Sequence, residues 1–114
     1  MMRAALIACA ASLAACITTP VEATYSGTYF SNFETSSFTP DGSRVSWVTH
    51  FENESDIKRI STLAREGAFR ARSVMRGRVE RCGGCGNLGV FDYVFHVSDI
   101  VELTPIVADQ QSNN

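Results

Sequence analysis

The sequence has neither a marked excess of one charge nor the signature of a familiar catalytic site. Its 114 residues include 10 basic and 12 acidic side chains, which give a formal net charge of −2 at pH 7. Proteins that bind nucleic acid usually present a strongly basic surface, so this balance predicts no nucleic-acid partner. Serine, histidine and acidic residues occur at no spacing typical of a catalytic triad, a phosphate-binding loop or paired catalytic carboxylates. We therefore expect a protein that is not an enzyme, with no cofactor and no metal site.

The sequence also lacks an apolar run long enough to cross a membrane. The N-terminal run, residues 4–15, is apolar except for Ser12. As a helix, these residues would rise roughly 18 Å, whereas the hydrocarbon core of a bilayer is roughly 30 Å thick. With Arg3 in front of it, the run is typical of the apolar region of a signal peptide.

The apolar run ends in Leu13-Ala14-Ala15-Cys16. These four residues resemble the lipobox of bacterial lipoprotein signal peptides. The resemblance implies cleavage before Cys16 and attachment of two or three acyl chains at this cysteine, which would anchor the chain to a membrane. Ile17, in place of an acidic residue, favours the outer membrane facing the periplasm if the cell is Gram-negative. The alternative is an ordinary secretory signal that is cleaved within residues 8–12.

The cysteines that remain after this processing form one close pair. Cys9 would leave with the signal peptide and Cys16 would carry lipid, so Cys82 and Cys85 stay as thiols in an oxidising compartment. Two glycines separate them, which favours a structural disulfide across a tight turn. The alternatives are a thiol-redox pair, which usually needs a helix N-terminus, and a Cys₂His₂ metal site.

The Cys₂His₂ alternative would join the cysteine pair to His50 and His96. The two histidines lie far apart in the sequence and at no recognised ligand spacing. Both fall on the even-numbered side of predicted strands, so they could be neighbours, but this parity alone does not predict a metal site.

The hydrophobic pattern predicts a mainly β fold with one helix. Period-two alternation marks strands at residues 25–33, 44–51, 69–80 and 88–97, with a short final segment at 98–104. Residues 53–67 follow helical spacing, with Asn53 or Ser55 as the N-cap and Gly67 as the stop. We expect a small antiparallel OB-like barrel of about five strands, with the helix closing one end. The alternative is an open α+β sheet with the helix on one face.

The predicted organisation has four parts. Residues 1–15 form a lipoprotein signal peptide, 16–24 a tether rich in threonine, 25–104 the OB-like β domain, and 105–114 a flexible polar tail.

Two groups of motifs within residues 25–104 carry a further resemblance. The first group is Gly27-Thr28-Tyr29, Phe33-Glu34, Ser36, Phe38, Pro40-Asp41-Gly42 and Trp47, and the second is Phe69-Arg70-Ala71-Arg72, Arg76-Gly77-Arg78-Val79 and Gly86-Asn87-Leu88-Gly89. Together they look like a group of small bacterial lipoproteins and secreted proteins. The resemblance implies a barrel-like module and no particular reaction. The chain departs from the group at Cys82-Gly83-Gly84-Cys85, where a Pro/Gly loop is expected.

One predicted strand carries a row of basic side chains on a single face, namely Arg70, Arg72, Arg76 and Arg78. Guanidinium groups in such a row can bind anionic lipid head groups, glycan phosphates or an acidic protein. The alternative is a solvated outer face, on which the arginines pair across strands with acidic residues, namely Glu34, Glu52, Glu80 or Asp92.

The eleven aromatic residues offer a similar choice. They could line a ligand groove or fill the core, and aromatic residues in alternating strands more often fill the core. They are Tyr25, Tyr29, Phe30, Phe33, Phe38, Trp47, Phe51, Phe69, Phe91, Tyr93 and Phe95.

The sequence therefore predicts a membrane-anchored lipoprotein that acts as a binding or envelope-structural module. Its expected partners are the membrane, through lipidated Cys16, and an envelope protein or an anionic glycan or lipid. Two alternatives stay open: a binder of anionic envelope ligands through the arginine row, and a thiol-redox protein that uses Cys82 and Cys85.

Overall fold

The computed structural model describes residues 21–106, which form five strands and one α-helix. They are β1 (Ala23–Ser31), β2 (Ser36–Pro40), β3 (Trp47–Phe51), α1 (Glu54–Ala64), β4 (Phe69–Cys85) and β5 (Phe91–Pro105), with a short 3₁₀ turn at Asn87–Gly89. The predicted signal peptide, the lipidation site Cys16, most of the tether and residues 107–114 of the tail lie outside this range. Within it, no helix combines the length and the apolar character needed to cross a membrane. The predicted mainly β fold with one helix is confirmed.

The strands form a closed ring in the order β1-β2-β3-β5-β4, and β4 returns to pair with β1. All neighbouring strands are antiparallel except β3 and β5, which run parallel. The expectation of a purely antiparallel sheet is therefore wrong at this pair. The physical reason is the connection: α1 and β4 lie between β3 and β5 in the chain, and parallel neighbours require such a long crossover.

The division of the chain into strands also differs from the prediction, at the first predicted strand and at the final predicted segment. The first predicted strand ends early, because the side chain of Asn32 accepts hydrogen bonds from the backbone N–H groups of Glu34 (2.8 Å) and Thr35 (2.6 Å). This turn reverses the chain and starts β2, which the sequence pattern did not separate. At the other end, residues 98–104 are not a separate segment but continue β5.

The helix begins where the sequence predicts, at an Asn53 cap whose Oδ1 accepts the backbone N–H of Asp56 at 2.8 Å. It ends at Ala64, and Gly67 follows with a φ of 113° while its N–H bonds to the Ala64 carbonyl at 3.0 Å. Ile60 faces the core from the helix, and Leu63 packs against the same cluster. The helix therefore closes one end of the ring.

Side chains fill the interior of the ring. Phe95 lies at the centre of the aromatic cluster, with its ring centroid 5.2 Å from that of Phe38, 5.4 Å from that of Tyr25 and 5.4 Å from that of Trp47. Met75, on β4, is fully buried beside them. Most of the predicted aromatic residues thus belong to the core, and the interior is packed rather than open to a ligand.

The β4–β5 hairpin is long, and its tip lies against the outer side of β3. β4 has 17 residues and β5 has 15, with irregular register near Met75 and Gly77. At the tip, a Cβ placed on Gly86 would come within 3.2 Å of the Val48 side chain on β3. The tip is thereby brought next to the turn between β1 and β2.

Candidate functional site

The arginine row shares one face of β4, as predicted, and this is the outer face, where three of its members pair with carboxylates. These ion pairs are Arg72–Asp41 at 2.8 Å, Arg76–Glu22 at 3.1 Å and Arg78–Glu52 at 3.0 Å. All six side chains are about a third or more exposed to solvent. Glu52 is one of the partners that the sequence suggested, whereas Asp41 and Glu22 are not. The row is therefore a mixed-charge surface rather than a continuous cationic one.

The Arg72–Asp41 pair has the most specific geometry of the three. Nη1 and Nη2 of Arg72 donate to the two carboxylate oxygens of Asp41 at 2.8 and 2.9 Å. These hydrogen bonds lower the pKa of Asp41 below its usual value and raise that of Arg72. Such a two-point contact is suited to hold the turn after β2 against β4.

Arg70 is placed differently from the other three arginines. No carboxylate within residues 21–106 lies at ion-pair distance from it, and its guanidinium carbon lies 5.7 Å from the centroid of the Phe30 ring. It borders a cleft of about 400 Å³ between the end of α1 and the ends of β4 and β5. Leu63, Phe69 and Pro105 contribute apolar walls to this cleft. Glu66 also lines the cleft, so the cleft carries one charged side chain of each sign beside its apolar walls.

Two loops present large apolar side chains to solvent. Phe33, in the β1–β2 turn, is 95% exposed, and Leu88, in the β4–β5 turn, is 88% exposed. The loops touch, because Nδ2 of Asn87 donates to Oε1 of Glu34 at 3.1 Å. Val90, 68% exposed, follows on the same loop as Leu88. We call Phe33, Leu88 and Val90 the apolar tip.

Leu88 is unusual in its backbone conformation as well as in its exposure. Its φ is 62°, and it is the one non-glycine residue with a positive φ between residues 21 and 106. A left-handed conformation costs an L-residue roughly 1–2 kcal/mol. The loop thus keeps a leucine where glycine or asparagine would be easier to accommodate. The sequence prediction placed Phe33 and Leu88 in strands, at residues 25–33 and 88–97, so it missed this surface.

Cys82 and Cys85 lie at disulfide distance at the end of β4, with their Cα atoms 5.9 Å apart. Between them, Gly83 and Gly84 adopt φ values of 62° and 97°, which only glycine adopts at little cost. The segment that follows is a 3₁₀ turn, not an α-helix N-terminus that would stabilise a reactive thiolate. This environment favours a structural link at the hairpin tip over a thiol-exchange site.

The two histidines of the chain lie side by side on the outer face of β3 and β5. His50 and His96 are register partners, and their ring centroids lie 5.6 Å apart. Glu52 joins them, and one ligand atom from each of these three residues lies within 4.8 Å of the others. Neither Cys82 nor Cys85 belongs to this group. The structure thus brings together the histidines of the Cys₂His₂ alternative with a carboxylate in place of the cysteines.

Comparison with known proteins adds no relative: no family model matches the chain, and neither curated proteins nor solved structures gave a significant match. We therefore infer function from the side chains of residues 21–106 and from the sequence before them.

Proposed function

We propose that the chain is a lipid-anchored protein of the bacterial envelope, not an enzyme, and that its barrel binds a partner protein through the apolar tip. The observation that carries the binding role is the exposure of Phe33 and Leu88 on two loops that are hydrogen-bonded to each other. Large apolar side chains exposed on neighbouring loops commonly mark a protein-binding site.

The energetics of the tip support binding rather than folding. Fully burying a leucine or phenylalanine side chain is favourable by roughly 1.5–3 kcal/mol, and in the free protein neither Phe33 nor Leu88 gains this. Leu88 in addition holds a left-handed backbone. A side chain that costs stability without packing inside the protein is better explained by a contact outside it.

The anchor proposed at Cys16 is compatible with access to the tip. β1 begins at Ala23, within the last two residues of the predicted tether, and the turn that carries Phe33 follows the other end of this strand. Nine residues of strand span about 26 Å between their first and last Cα atoms. The β1–β2 turn thus lies at the end of β1 that is remote from the attachment point, where a partner in the same compartment can reach it.

A pull-down of the intact lipidated chain from its own envelope tests the proposal. We expect a partner that is retained by the parent chain and lost with the double variant Phe33→Ser, Leu88→Asn. Val101→Thr is the matched control, because Val101 is a half-exposed apolar residue on β5 and not part of the tip. Loss of the partner with Cys16→Ala would tie binding to the anchor. Recovery of the same proteins with the parent and the double variant would refute the binding surface.

Arg70 supports a second candidate function, binding of an anionic ligand with an apolar chain in the 400 Å³ cleft. Dodecyl phosphate is a suitable probe in calorimetry, because it combines both chemical features. Arg70→Gln should weaken its binding about tenfold or more, as expected for the loss of a charge-assisted hydrogen bond. Arg72→Gln, which removes an ion-paired arginine of the same row, should leave the affinity unchanged. Equal effects of the two variants would indicate that surface charge in general attracts dodecyl phosphate and that the cleft does not bind it specifically.

A further inference from the structure

The outer face of β3 and β5 carries a set of side chains suited to hold a metal ion. We propose that a divalent ion of the zinc class binds there, with His50, His96 and Glu52 as its ligands. This site is independent of the apolar tip and of the lipid anchor.

The strand pairing fixes the two imidazoles next to each other. His50 and His96 are direct partners in the parallel pair β3–β5, and their rings are inclined at 82°. Two imidazoles that project from opposite positions of neighbouring strands share one face of the sheet. These are the only two histidines among the 114 residues. Because the two rings lie next to each other on the surface, they supply two nitrogen ligands of the kind that zinc prefers.

Glu52 adds an oxygen ligand at nearly the right distance. The three ligand atoms lie within 4.8 Å of one another. Around a tetrahedral zinc ion with bonds of about 2.0–2.1 Å, ligand atoms are about 3.3 Å apart. His50 and Glu52 are exposed, so rotation of their side chains can close this difference without moving the strands. Three protein ligands leave a fourth position for water or for a ligand from another molecule.

Glu80 orients one of the ligands. Its Oε1 lies 2.9 Å from Nε2 of His96. An ionised carboxylate can only accept a hydrogen bond, so in a neutral imidazole Nε2 carries the proton and Nδ1 holds the lone pair that a metal requires. Histidine ligands of zinc commonly donate their second N–H to a carboxylate in this way. Glu80 is therefore a positioning residue for the site.

Arg78 competes with the metal for Glu52. The guanidinium of Arg78 donates to the Glu52 carboxylate at 3.0 and 3.4 Å. Because this pair is partly exposed, it stabilises the fold only weakly, and a divalent ion can displace it. Arg78 also places a positive charge beside the site. Its removal should therefore strengthen metal binding, which a residue with only a structural role would not do.

Calorimetry with Zn²⁺ and visible absorption with Co²⁺ test the site on the intact chain. The protein is purified from membranes in detergent, without a polyhistidine tag and without reductant. We expect one ion per chain and the absorption of a tetrahedral Co²⁺ complex. His50→Gln and His96→Gln should each lower the affinity by about tenfold or more, and Glu80→Gln by about tenfold. Asp41→Asn removes an exposed carboxylate elsewhere and is the matched control.

Three outcomes would overturn the proposal. They are the absence of saturable binding, equal affinity of the parent and the double variant His50→Gln, His96→Gln, and an affinity of Arg78→Gln that does not exceed that of the parent. A thermal unfolding curve for each variant separates loss of the site from loss of the fold. In the same measurement, Zn²⁺ should raise the melting temperature of the parent and leave that of the double variant unchanged.

Discussion

The carboxylate of Asp56 accepts the backbone N–H of Ile100 at 3.0 Å, which joins the first turn of α1 to β5. The same oxygen accepts a hydrogen bond from Nδ2 of Asn53 at 2.8 Å, and this Nδ2 also donates to the carbonyl of Ser98 at 2.9 Å. Asp56 is buried, and desolvation raises the pKa of its carboxyl group. The helix cap and the strand thus share one small polar network at the end of the ring.

Substitution of Asp56 by alanine should destabilise the protein by about 1–3 kcal/mol, because it leaves the buried N–H of Ile100 without a partner. Urea unfolding of the intact chain measures this difference. Glu54→Ala is the matched control, since Glu54 is an exposed acid in the same helical turn, and its effect should be small. Equal losses for the two variants would show that the network contributes nothing beyond helix-terminal charge.

The Arg72–Asp41 pair should make stability depend on pH in a defined direction. Its hydrogen bonds lower the pKa of Asp41 in the folded protein. The contribution of Asp41 is therefore fully present above the unfolded pKa, about 3.9, and is lost as the pH falls through the lower folded value. We expect Asp41→Asn to be slightly less stable than the parent at pH 7 and equal to it in strong acid. Unfolding curves across this pH range, with Asp92→Asn as control, measure the difference; one that does not shrink on acidification would contradict the prediction.

Gly77 should not tolerate a side chain. A Cβ at this position would overlap the backbone carbonyl oxygen of His96 on the neighbouring strand. Gly77→Ala should therefore cost about 1–3 kcal/mol, the range of overpacked interiors. Arg76→Ala, at the adjacent exposed position, should cost less, because it removes only a surface ion pair. Similar unfolding free energies for both variants would mean that β4 and β5 can separate at this point without penalty.

Leu88 should be replaceable by glycine without loss of stability. Its φ of 62° favours glycine, and its side chain is exposed. We expect Leu88→Gly to be about 1 kcal/mol more stable than Leu88→Ala, which keeps the backbone strain while removing the same side chain. If the alanine variant is the more stable of the two in urea, the left-handed conformation is not retained in solution.

The local patterns in the sequence predict the elements of this fold better than their boundaries. Asn53 predicts the start of α1 because a cap depends on a few consecutive residues. The turn at Asn32 was missed because the alternation through Phe33 continues across it, while the hydrogen bonds of the Asn32 side chain reverse the backbone. A side chain that bonds its own backbone can thus interrupt a strand pattern without altering it.

Contacts between distant parts of the chain could not be predicted to the same extent. The parity of His50 and His96 indicates a shared face, but only the parallel register of β3 and β5 makes them partners. Likewise, the arginine row was visible in the sequence, whereas its pairing with Asp41 and Glu22 depends on how the ring closes. The exposure of Leu88 depends on the path of the hairpin tip. The lipobox at Cys16 stays a prediction from the sequence.

β5 follows β4 in the chain, yet it lies between β3 and β4 in the ring. A polypeptide that is exported N-terminus first would deliver β1 to β4 before β5 emerges. In that interval β3 and β4 each keep one edge with unpaired backbone groups, which other chains can join. The ring can close only when β5 has emerged. If the chain is exported as we propose, a translocation pause before β5 would favour aggregation at these edges and lower the yield of folded protein.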